Sequence, residues 1–148
     1  MALQFLIASL CVTPLRRYAG INLLKFRRAF GLLGFGYICL PLLTWLALDM
    51  VFLWSQIVED ITERPYIMVG MAAFLLLVPL ALTSTKGWIR RLGPRWQKLH
   101  RLVYLAVPLG AVHFMMQERV WTAQLITYLV LAFGIVGIRM IWIRRRRV

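Results

Sequence analysis

The sequence predicts an all-α protein: a polytopic transmembrane helical bundle of about five spans, forming one domain over residues 1–148. Three observations carry that prediction. First, residues of the AVILMFWYC set make up 61% of the chain and charged residues only 16%, against roughly 25% charged in an average soluble domain. Mean hydropathy is +0.76, and a soluble chain of this size could not hide so much apolar surface. Second, the apolar residues come in runs close to the ~20 residues that cross a ~30 Å hydrocarbon core. Third, 18 bases stand against five acids, a net charge of +13, and the two signs are sorted into alternate connections.

Taken in order, the first apolar segment, 2–15, is short for a span. No basic residue leads it and no small-residue cleavage pattern follows, so it reads as a span rather than a signal peptide. The remaining segments, 29–54, 66–84, 99–116 and 120–143, are each 18 or more residues long. The connection after the first holds Arg16, Arg17, Lys25, Arg27 and Arg28, and that after the third holds Lys86, Arg90, Arg91, Arg95 and Lys98. Arg101 follows just inside the fourth segment, and Arg144 to Arg147 end the chain. The other two connections carry Glu59, Asp60, Glu63 and Arg64, then Glu118 and Arg119. With Asp49, all five acids fall on one side. The positive-inside rule then predicts a multi-pass membrane protein with its basic connections and C-terminus in the cytoplasm. A nucleic-acid partner would not require strict alternation, so the basic charge is assigned to topology and anionic lipid. Tryptophans near the segment ends fit an interfacial belt.

Few residues can carry chemistry. Cys11 and Cys39 stand alone in apolar segments and read as small buried hydrophobes. No glycine-rich phosphate loop, Cys-x-x-Cys pair or His-Glu-x-x-His motif occurs. The two histidines, His100 and His113, both lie in the fourth segment. An ionisable group inside a span is expensive and points to function, and imidazole is a common ligand of iron. Thirteen residues separate the pair by about 20 Å along a helix, the axial spacing of two hemes stacked across a bilayer, yet leave the side chains roughly 140° apart. Pro108, between them, is placed to turn the rings toward a common side. The competing reading is an interfacial His100 and a His113 bonded to a neighbouring helix. Arg91 and Arg95 offer guanidinium forks suited to heme propionates or a flavin phosphate.

The stretch Leu92-Gly93-Pro94-Arg95-Trp96-Gln97-Lys98-Leu99-His100-Arg101, followed by His113-Phe114, resembles the MsrQ family. These are heme-binding membrane subunits of the periplasmic methionine sulfoxide reductase system, related to the ferric reductase transmembrane domain. Ile61-Thr62-Glu63-Arg64-Pro65-Tyr66 with Gly70, and Arg27-Arg28-Ala29-Phe30-Gly31-Leu32, resemble the same family. The resemblance implies a membrane cytochrome holding heme b, with FMN as a further cofactor. Electrons would come from the quinone pool or a cytoplasmic flavin reductase. They would pass to a periplasmic molybdopterin-containing methionine sulfoxide reductase, which performs the substrate chemistry. His113 would be the outer iron ligand and His100 the inner ligand or a polar anchor.

Two departures accompany the resemblance. Relatives carry one more helix ahead of the position matching residue 1. On the second helix they carry a histidine where this chain has Pro41, 13 residues after Arg28 and so level with His113. Proline has no ligand atom. Three outcomes follow: iron held by His113 alone, a sulfur ligand from Cys39 or Met115, or a chain without heme that serves as a membrane scaffold or partner anchor.

Overall fold

In the computed structural model, which describes residues 2–20, 22–49, 53–118 and 120–145, every regular element is helical. The helices are α1 (Ala2–Tyr18), α2 (Leu24–Thr44), α3 (Trp54–Glu63), α4 (Pro65–Leu82), α5 (Lys86–Leu92), α6 (Pro94–Leu99), α7 (Val103–Gln117) and α8 (Ala123–Arg145). A π-helical stretch, Trp45–Asp49, prolongs α2 one turn after Pro41, and a 3₁₀ turn, His100–Leu102, joins α6 to α7. Among the described residues, four stretches are long and apolar enough to cross a membrane: Lys25–Leu48, Pro65–Leu82, Pro94–Gln117 and Ala123–Ile143. They carry the second to fifth expected segments.

The first expected segment forms α1, whose 17 residues reach only about 26 Å at ~1.5 Å per residue. It is not one of the four. Instead it lends Leu6, Ile7, Leu10 and Val12 to the core. The second helix starts earlier than residue 29, because Lys and Arg are good helix formers; charge marks the membrane boundary rather than the helix end. Residues 50–52, Arg119, Arg146 and Arg147 lie outside the described residues. Residues 54–63, expected as the end of a span and part of a connection, form α3, which buries Ile57 and exposes Trp54 and Val58. The 85–98 connection is helical too. The Thr85 hydroxyl caps α5 by accepting from the Trp88 N–H at 3.3 Å. Gly93, at φ +49°, breaks the chain direction, and Pro94 opens α6.

α1 packs along α2, and α4 along α7; α7 also meets α8 and α1, while α2 and α7 make no extended contact. α7 sits centrally because Ala106, Val107 and Ala111, all fully buried, let its neighbours approach closely. The outward faces remain apolar, as with Leu40 and Leu48, which suits lipid as the surrounding medium. Arg139 of α8 is only 8% exposed. Its Nη2 donates to the Leu10 carbonyl at 3.2 Å and its Nη1 to the Tyr104 hydroxyl at 3.4 Å. The Leu10 carbonyl is available because residue 14, its expected helical donor, is a proline.

Candidate functional site

His113, near the end of α7, turns its ring onto α4. Its Nδ1 lies 2.7 Å from the main-chain oxygen of Tyr66. A carbonyl can only accept, so Nδ1 carries the proton and Nε2 keeps its lone pair. Beneath the ring runs Gly70, where a Cβ would stand 2.6 Å from both Cε1 and Nδ1. The close approach of α4 to the imidazole therefore requires glycine at that position.

His100 repeats the arrangement at the basic end. Its Nδ1 lies 3.2 Å from the Trp96 carbonyl, and its ring stacks on the Trp96 indole with centroids 3.8 Å apart. Trp96 is itself fixed by an Nε1–H bond to the Thr83 carbonyl at 2.9 Å. His100 Nε2 is 3.5 Å from Ser84 Oγ, whose single proton goes to the Leu80 carbonyl at 2.6 Å. The Leu80 carbonyl also lies within hydrogen-bonding reach of the His100 ring, so its Nε2 sits in a polar corner and is not free as that of His113 is. An anchored Nδ1–H with a free Nε2 is the form in which histidine binds metals.

Both rings meet α4 or the residues just beyond it. The 3₁₀ turn explains part of this. Three residues at ~120° instead of ~100° each reduce the offset between the rings from about 140° to about 80°. Pro108 adds a local break in the helix.

A cavity of about 560 Å³ opens in the end of the bundle that carries α3, within the ~300–1,000 Å³ of ordinary ligand pockets. α2 contributes Tyr37, Ile38, Pro41 and Leu42 to its wall, followed by Trp45 from the π-helical stretch. α4 contributes Tyr66, Gly70, Met71, Phe74 and Leu77, and α7 contributes Ala106, Gly110, His113 and Gln117. α1 adds Ala2, Leu3, Gln4 and Leu6 and α8 adds Tyr128, so the lining is largely apolar with polar groups among it. Arg64 Nε pairs with Asp60 Oδ1 at 2.7 Å, Arg64 Nη1 donates to the Tyr66 hydroxyl at 3.2 Å, and Trp45 Nε1 donates to Asp60 Oδ2 at 3.2 Å. The Tyr66 bond first, then the Asp60 carboxylate, holds the Arg64 guanidinium above its ordinary pKa.

Pro41 and His113 line this one cavity, whereas His100 does not. Arg91 and Arg95 are exposed near the opposite end, Arg91 lying over the Trp88 ring at 5.5 Å. Neither Cys39 nor Met115 lines the cavity; its sulfur belongs to Met71, which sequence reasoning did not single out. Among the described residues no group of three or more His, Cys, Asp or Glu could hold a bare metal ion. The His113 imidazole, bonded at Nδ1 and lining a largely apolar cavity, fits a metal that brings most of its own ligands, as iron does in heme.

Comparison with known proteins gives the chain a family and named relatives. The family described as "Ferric reductase like transmembrane component" matches residues 1–111. The chain is 50% identical over 138 residues to the "Protein-methionine-sulfoxide reductase heme-binding subunit MsrQ" of Rhizobium meliloti, covering 93% of this chain and 64% of that protein. It is 47% identical over 141 residues to the protein of the same name from Brucella anthropi, covering 95% and 62%. The chain therefore spans less than two thirds of the length of these relatives. No solved structure matches.

Proposed function

The chain belongs to the ferric reductase-like transmembrane family, and on that premise we propose that it is a b-type cytochrome subunit of a methionine sulfoxide reductase system. In this reading it receives electrons from the quinone pool or a cytoplasmic flavin reductase and passes them to a periplasmic molybdopterin-containing partner. The observation that carries the proposal is His113, tautomer fixed by the Tyr66 carbonyl, facing an apolar cavity. The relatives' printed names, which specify a heme-binding subunit, support it.

Heme, when bound, supplies a reversible one-electron iron couple. The rest is the work of this chain's side chains. His113 presents Nε2 to iron near the acidic end, and its Nδ1–H on the Tyr66 carbonyl resists ring rotation. His100, braced by Trp96, would serve at the basic end as the inner ligand or as a polar anchor. The apolar part of the lining, from Phe74 to Ala106, excludes water. Arg91 and Arg95 supply guanidinium groups for propionates or an FMN phosphate. The charge sorting sets the protein across the inner membrane with its C-terminus in the cytoplasm.

The test is the visible spectrum of the purified protein, oxidised and dithionite-reduced. A Soret band that His113→Ala abolishes or shifts is expected. No Soret band after expression with ample heme would favour the second reading, for which Pro41 is the specific observation: a family member without heme that anchors a partner in the membrane.

A further inference from the structure

We infer that the cavity gives iron one protein ligand, His113, and leaves the opposite coordination position open to a neutral diatomic molecule of the carbon monoxide or nitric oxide class. The inference rests on the heme reading and deepens it.

His113 is pinned to α4 by the Tyr66 carbonyl and the close passage of Gly70. Met71, the one thioether among the lining residues, follows Gly70 on that same helix. α2 also lines the cavity and makes no extended contact with α7. Its Ile38, Pro41 and Leu42 side chains have no ligand atom, and the Trp45 indole is a donor only, its N–H spent on Asp60. The other polar groups of the lining are the amides of Gln4 and Gln117, the Arg64 guanidinium and the phenols of Tyr37, Tyr66 and Tyr128. Arg64 donates to the Tyr66 hydroxyl, and Gln4 and Gln124 donate to that of Tyr128. Beyond His113 and Met71, the lining therefore supplies no imidazole, thiol or thioether.

The iron selects the class of ligand. Ferrous iron is electron-rich and favours neutral diatomics that accept electron density from the metal over anions. A neutral diatomic also loses little hydration on entering a lining that is largely apolar. Carbon monoxide would bind by donating its carbon lone pair into the vacant position on ferrous iron. No bond breaks and no proton moves, so no co-reactant is needed.

The experiment is a carbon monoxide difference spectrum of the dithionite-reduced protein in detergent, with size-exclusion profiles to confirm that each variant is folded. Wild type is expected to show a Soret shift with carbon monoxide. Pro41→His should convert the iron to a six-coordinate low-spin form and remove the carbon monoxide response, while Pro41→Ala and Met71→Leu keep it. His113→Ala should abolish it. A Soret band that is low-spin and silent to carbon monoxide in wild type would overturn this inference alone, as would a response that survives His113→Ala. A protein without any Soret band would overturn the heme reading and this inference with it.

Discussion

At the scale of single residues, the site is built as much from main chain as from side chains. His113 and His100 stand out in the sequence because they are the only histidines and both fall inside a span. Their Nδ1 bonds are not legible there, since the partners are carbonyls of Tyr66 and Trp96, which any residue would supply. Gly70 is similarly mute: its role is the absence of a Cβ that would press on the His113 ring at 2.6 Å. Gly70→Ala is expected to tilt or displace that imidazole, at an overpacking cost of about 1–3 kcal/mol. The check is a shifted Soret band or lower heme content in Gly70→Ala, with none in Gly134→Ala, where an added Cβ meets nothing within 4 Å. An unaltered Gly70→Ala spectrum would mean that the close approach of α4 does not orient the ring.

Among the elements, prolines inside helices create vacancies that other elements fill. Pro14 leaves the Leu10 carbonyl without its helical donor, and Arg139 reaches from α8 to occupy it while also holding Tyr104 of α7. Three helices meet at one guanidinium. Arg139→Met is expected to lower stability by about 1–3 kcal/mol, the cost of an unsatisfied buried acceptor. In a Pro14→Ala background, where residue 14 regains an N–H, the same change should cost less. Thermal midpoints of the four proteins in detergent give the coupling; strict additivity would refute the link. Hydropathy located the membrane-length helices but not α3. An amphipathic helix has no apolar run, and its Glu59, Asp60 and Glu63 read as a connection. The 3₁₀ turn at His100–Leu102 was equally hidden, because a change of helical pitch leaves no compositional mark.

For the whole molecule, charge and hydropathy were the most legible properties. The helical class and the four long apolar stretches follow from where apolar and basic residues lie, whereas the family shows in local motifs, above all Arg95 to His100. The fate of 2–15 did not, because burial against α2 and α8 depends on tertiary contacts that a window of sequence does not contain. The orientation has a direct check. In intact cells a membrane-impermeant maleimide should label Glu63→Cys, whereas Gln97→Cys should react only after the membrane is opened; both positions are exposed. The reverse pattern would invert the proposed direction of electron flow.

Asp60 divides its two oxygens between Trp45 and Arg64, and both of those side chains line the cavity. One carboxylate on a surface helix is thus the common anchor of a doorway with Trp45 in one span as one post and Arg64, just ahead of the next span, as the other. Its removal alters how fast the interior is reached rather than what the interior binds. Asp60→Ala should leave the equilibrium spectrum of bound heme in place, yet quicken its reduction by dithionite in stopped flow. Time of entry, not affinity, is what this latch controls.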